Sequence, residues 1–216
     1  MMLIDLTHPL QSGQPAWPGD PPLLIEPAAT VAREGYNVSH LSMGTHQGTH
    51  LDAPRHFFDD GQTVDQLDLA RLCGEAHLID LAPGSSLPPS TMIGLDLLLS
   101  HAGRFLPGGR VLYRTGWSAH FGRPEFFENV PSLSVDAARW IADRGIVLLG
   151  MDTPTPSEDL DVHRILLAKQ HEVIIVESMA NLDLLPPGSP FTLLVLPLKL
   201  AGAVGAPVRA VAMISA

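Results

Sequence analysis

The chain has 216 residues, 45% of them apolar and 17% charged, the balance of a folded globule with one sizeable core and not of a disordered tail. Its formal charge is −10, and the thirteen Lys and Arg residues are scattered, which excludes the basic stripe that a nucleic-acid partner needs. No stretch approaches ~18 apolar residues, so no membrane partner is expected. The single Cys73 cannot form an internal disulfide, and Met1 to Pro9 lacks a cationic start, so the expectation is cytoplasmic residence.

In chain order, Ile4 and Leu6 read as an opening strand. Gln14 to Pro22 holds four prolines and a glycine and is expected to be a loop, because proline has no N–H for a ladder. Leu23 to Ile25, Tyr36 to Met43 and Glu75 to Leu81 alternate or run apolar, as strands do. Thr91 to His101 is apolar at helical spacing behind Pro88-Pro89-Ser90 and predicts a helix. Arg110 to Thr115 predicts a strand. The clearest helix is Ser134 to Arg144: Ser134 can cap it, Ala137, Ala138 and Ile141 share a face, and Gly145 can end it. Ile146 to Met151 reads as a buried strand, Asp159 to Lys169 as a helix and Val173 to Glu177 as a strand. Phe191 to Leu196 and Val208 to Ile214 complete the strands. Strands outnumber helices and alternate with some of them, which predicts an α/β class with a mixed sheet, in one domain over residues 1–216.

The informative segment is His46-Gln47-Gly48-Thr49-His50-Leu51-Asp52-Ala53-Pro54-Arg55-His56. Ten histidines in 216 residues would place fewer than one in an eleven-residue window, and here there are three with an aspartate among them. Imidazole nitrogen and carboxylate oxygen at short range are what a divalent zinc or manganese ion takes. Positions 46, 50, 52 and 56 share parity, so an extended backbone would send all four side chains to one face. Gly48 and Pro54 argue against a continuous helix, and Gly48 permits a sharp excursion of the chain. Structural zinc sites favour cysteine, which this segment lacks, so a catalytic metal is the expectation.

These residues resemble the cyclase family that includes bacterial kynurenine formamidases and isatin hydrolases. Its pattern is His-x-Gly-Thr-His-x-Asp-x-Pro-x-His, and residues 46–56 match every fixed position. The likeness extends to Trp17-Pro18-Gly19-Asp20, to Met151-Asp152-Thr153-Pro154, to Leu196-Pro197-Leu198-Lys199-Leu200 and to Pro207-Val208-Arg209-Ala210. The resemblance implies a swivelling β/β/α single domain, a homodimer or homotetramer, and one or two Zn2+ or Mn2+ ions per chain. It implies His46, His50 and Asp52 as metal ligands, with Asp52 placed to bridge, and His56 as the acid–base residue. A second ion would take His163 and Glu177. The interval between these two is about two residues longer than the family pattern, which leaves His171 and Glu172 as rivals.

The activity so implied is hydrolysis of a non-peptide amide, an aryl formamide such as N-formylkynurenine. A cyclic amide of the isatin type is the alternative, followed by a metal-dependent lyase or dehydratase. Trp17 and Phe57, with Phe58, could wall an aromatic substrate. No Gly-x-Ser-x-Gly elbow or phosphate-cradling glycine loop offers a different chemistry.

Overall fold

The computed structural model describes residues 1–186 and 188–214. Twelve strands and five helices are found among them. In chain order they are β1 Met2–Asp5, β2 Leu24–Ala29, α1 Val31–Glu34, β3 Val38–Ser42, β4 His50–Asp52, α2 Leu69–Leu72, β5 Cys73–Asp80 and β6 Met92–Ile93. There follow α3 Leu95–Leu99, β7 Arg110–Arg114, β8 Ser132–Leu133, α4 Val135–Asp143, β9 Leu148–Met151, α5 Leu160–Leu167, β10 Ile174–Glu177, β11 Phe191–Pro197 and β12 Gly205–Ile214.

The main sheet runs β1-β12-β11-β5-β7-β9-β10-β4, and β4 pairs back onto β12. Seven strands therefore form a closed, barrel-like mixed sheet, with β1 attached outside the ring on the far end of β12. Closure leaves no open edge in the ring, which is how a sheet avoids presenting unpaired N–H and C=O groups. The pairs β5–β7, β7–β9 and β9–β10 are parallel, and the remaining ring pairs are antiparallel. Parallel neighbours need crossover connections, and α3, α4 and α5 lie in those three connections. The expected mixed α/β fold is the one observed.

Strand alternation divides the core. In β10, Ile174 and Val176 pack with Leu51, Leu112, Leu193 and Ala206 on the inner face of the ring. Ile175, between them, packs outward with Val111, Leu149, Leu166 and Ile141 against the helices. This period of two follows from the pleat, and each fully buried side chain of this kind is worth about 1.5–3 kcal/mol.

Most expected elements are present with boundaries shifted by one or two residues. Thr91 to His101 departs: Met92–Ile93 is a strand paired with Ser132–Leu133, and only Leu95–Leu99 is α-helical. Gly94 between them is extended (ψ 172°), and the cross-chain pairing outweighs the local helical spacing. Ser134 does cap α4, accepting from the Ala137 N–H at 3.1 Å, and Gly145 follows it at φ +69°. No helix is long and apolar enough to cross a membrane.

Candidate metal centre

β4 is only three residues long, wedged between β10 and β12. Its alternation buries Leu51 in the inner core and sends His50 and Asp52 to the opposite face. The antiparallel register with β10 places Glu177 opposite His50. His46 reaches the same place by a turn, not by an extended chain. Gly48 adopts φ +63°, and a Cβ there would meet Leu10 Cδ2 at 2.4 Å, so glycine is favoured at the turn. Pro54–His56 then forms a 3-10 turn, with the His56 N–H donating to Ala53 O at 2.9 Å. The shared parity of 46, 50, 52 and 56 thus holds as a strand argument only for 50 and 52. Gly48 and Pro54 bend the chain on either side, and the four side chains still converge.

Asp52 is the hub. Its Oδ1 lies 2.7 Å from His46 Nδ1 and 3.5 Å from His50 Nε2, and its Oδ2 is 4.0 Å from His163 Nε2. Glu177 Oε2 is 3.3 Å from His50 Nε2, and its Oε1 is 3.3 Å from His163 Nε2. His163 is carried by α5, whose N-cap Asp159 accepts from the Asp161 N–H at 3.0 Å. The ring centroid of His56 is 4.0 Å from that of His46, and the Phe57 ring stacks on His163 at 4.9 Å. Potential ligand atoms of His46, Asp52 and His56, and of His50, Asp52 and Glu177, form two groups, each within 4.8 Å, that share Asp52.

His50, Asp52, His163 and Glu177 are each no more than 6% exposed. Burial alone would lower the His50 pKa, but the carboxylates of Asp52 and Glu177 push it up to about 10. Burial would likewise raise Asp52, but His46 and His50 hold it well below the usual carboxylate range. His163 is raised, against burial, by Glu177 and Asp52. His56 is lowered, first by burial and further by His46 and His163, against the pull of Asp52.

The donor set fits a divalent cation. His50 Nδ1 is 2.8 Å from Gly48 O, and a carbonyl can only accept, so Nδ1 carries the proton. Without a cation the two carboxylates hold a proton on Nε2 as well, and a bound cation would take that proton's place; Nε2 makes no well-formed hydrogen bond, as is true of His46 Nε2 and His163 Nδ1. Two buried carboxylates side by side, met only by imidazoles, are costly unless more positive charge lies among them. Nitrogen and oxygen donors of this kind suit zinc or manganese.

The centre opens into a cavity of about 320 Å³ lined by Trp17, Phe57, Phe121, Phe126, Phe127 and Leu160, among others. Trp17 and Phe57 therefore both reach it, whereas Phe58 packs on the outer core. Phe121, Phe126 and Phe127 escaped the sequence reading. They sit in a glycine- and proline-punctuated stretch with no periodicity, and only the density of aromatics there was a usable signal. Trp117, buried behind them, donates Nε1–H to Phe126 O at 2.9 Å and braces that wall. The rivals lie elsewhere: His171 faces a surface groove beside Arg139 and Arg164, and Glu172 is engaged by Arg71.

A closed mixed sheet carrying a buried His/Asp/Glu cluster beneath an aromatic cleft defines the class, and the chain belongs to the cyclase family. The family model described as "Putative cyclase" matches residues 4–158. The chain is 35% identical over 211 residues to a kynurenine formamidase from Bacillus cereus, covering 96% of this chain and 95% of that protein. A kynurenine formamidase from Bacillus mycoides gives the same identity and coverage. Among solved structures, isatin hydrolase A from Ralstonia solanacearum superposes with a TM-score of 0.86 at 26% identity, over 99% of this chain and 92% of that one. A predicted metal-dependent hydrolase from Bacillus stearothermophilus gives a TM-score of 0.78 at 28% identity, over 98% and 97%.

Proposed function

We propose that this metal-dependent amide hydrolase acts on an aryl formamide of the N-formylkynurenine type, releasing formate and an aryl amine. The observation that carries the reading is one buried carboxylate, Asp52, whose oxygens lie within 4.0 Å of nitrogens of His46, His50 and His163, with Glu177 beside it, at the floor of an aromatic cleft. His46, His50 and Asp52 would hold one Zn2+ or Mn2+ ion, and Asp52, His163 and Glu177 a second. A bound divalent ion supplies carbonyl polarisation and makes a water more acidic. His56, beside His46 at the cleft, takes a proton from the attacking water and passes it to the leaving nitrogen as the C–N bond breaks. Its pKa, lowered by burial, keeps the ring neutral and able to accept that proton. Trp17 and Phe57 flank the aryl ring and keep bulk water from it.

Residues 1–216 are taken as one cyclase-family domain, a reading supported by relatives that align over 96% of the chain, and its proposed place is the cytoplasm. The cyclic-amide reading is favoured by the isatin hydrolase likeness. Hydrolysis of N-formylkynurenine, a simple formanilide and isatin, with and without chelator, decides between them. Faster hydrolysis of isatin than of either formamide would sink the formamide reading, and chelator-insensitive turnover would sink the metal. Metal analysis of wild type and His50→Ala goes beside it, with metal and activity lost together as the expected result.

A homodimer or homotetramer is also proposed. All residues of β2 and β3 except Ala29 are exposed, including Leu24, Ile25, Val38 and Leu41. A lone two-stranded hairpin is marginal in water, and an apolar one asks for cover. Light scattering on the full chain should give at least twice the monomer mass of 23.2 kDa; Leu24→Ser with Leu41→Ser should shift it toward the monomer. A monomeric wild type at micromolar concentration would overturn this.

A further inference from the structure

We propose that Gly205 is a positioning residue for the metal centre: its missing side chain makes the seat on which the His46 imidazole rests with Nδ1 toward Asp52. The inference rests on the reading of His46 as a metal ligand. β12 closes the barrel against β4, and the register places Gly205 opposite Asp52 and Ala206 opposite Leu51. A Cβ at Gly205 would stand 2.5 Å from His46 Cε1, 2.9 Å from His46 Nε2 and 2.9 Å from Leu51 O. All three are closer than van der Waals contact. The Cε1–Nε2 edge of the ring therefore lies on bare backbone, and Nδ1, the neighbour of Cε1, faces Asp52 Oδ1 at 2.7 Å.

The φ angle does not require glycine here. Gly205 lies outside the left-handed region, unlike Gly48 at φ +63°. A glycine inside a strand gives up packing and adds disorder to the unfolded chain, and close approach of another group is a physical reason for one. Here the group that approaches is an imidazole of the metal motif. A methyl at position 205 would drive the ring off its seat. It would also press on the Leu51 carbonyl, which lies in the motif strand between His50 and Asp52. Groups that orient a ligand without touching the metal commonly change metal affinity about 10–100-fold.

The test is Zn2+ titration of the chelator-stripped full chain by calorimetry, on wild type, Gly205→Ala, His46→Ala and the double variant, with melting temperatures alongside. Gly205→Ala should bind Zn2+ about 10–100-fold more weakly, and in the His46→Ala background the same alanine should cost much less affinity, only what its contact with the Leu51 carbonyl takes. The alanine should also cost less melting temperature in the His46→Ala background, where no ring stands in its way. Wild-type affinity in Gly205→Ala overturns the proposal, and so do losses that add in the double variant. If Gly205→Ala alone does not fold, a soluble double variant supports the seat and an insoluble one overturns it. Wild-type Zn2+ affinity in His46→Ala would be a different failure, that of the ligand reading itself.

Discussion

His56 and His8 show how differently two histidines of one chain can be used. His56 stands at the cleft, within ring contact of His46 and 6.4 Å between centroids from His163. Replacing it by alanine should lower turnover by about 10²–10⁴-fold while metal content stays near wild type. Loss of metal in that variant would make His56 a ligand, as its grouping with His46 and Asp52 would also allow. His8 stacks face to face on Phe121 at 3.8 Å, and burial lowers its pKa to about 4. The unfolded chain then takes up a proton near pH 6.5 that the folded chain refuses until about pH 4. Stability is full above pH 6.5 and falls across that window as the solution is acidified, tempered by the ring's partial exposure. Denaturant unfolding at pH 7 and pH 5 should show a larger drop in wild type than in His8→Gln. Equal drops would remove His8 from the account.

At the scale of elements, three short pieces meet at the centre, and each is held by a local device. α5 brings His163 in from outside the ring, and its start is set by Asp159 capping the Asp161 N–H. Asp159→Ala should cost about 0.5–2 kcal/mol of stability, readable as a lower denaturation midpoint at unchanged slope. A change below 0.3 kcal/mol would mean that packing alone sets the helix end. β4 is tied to the end of β10 by Thr49, whose hydroxyl donates to Ser178 O at 2.6 Å and accepts from the His8 N–H at 3.0 Å. Ser178 itself adopts φ +56°, so the chain leaves β10 sharply just past Glu177. The helix and strand that carry His163 and Glu177 were legible from periodicity. The choice of Glu177 over Glu172 rested on strand-end logic, and the structure places Glu177 3.3 Å from His163 while Glu172 meets Arg71.

Over the whole molecule, the barrel is closed where its chemistry lies. The three residues of β4 join β10 to β12, so the seam of the ring and the candidate metal ligands are the same segment. Two carboxylates buried there repel each other and lack charge partners other than imidazoles, so metal binding and folding should be linked. At a metal concentration of about 100 times Kd the gain is about 2.7 kcal/mol, which for a chain of this size is a shift of about 5–10 °C. Scanning calorimetry with and without chelator should show that difference. An unchanged melting temperature would mean the cluster is stable without a cation, and the metal reading would fall with it.

Local chemistry along the chain encodes the mixed α/β class, most of the strands, the capped helix at Ser134 and the eleven-residue run of His46 to His56. Those signals survive in one dimension because period, cap and turn chemistry act within a few residues. The rest depends on which distant segments meet in the folded chain. The Met92–Ile93 strand exists because Ser132–Leu133 lies beside it, and the aromatic wall of Phe121, Phe126 and Phe127 has no periodicity to announce it. Gly205 lies more than 150 residues from His46 in the chain, and its relation to that ring appears only when β12 closes on β4. Contacts of that kind are set by the closing of the sheet, which no window of the sequence contains.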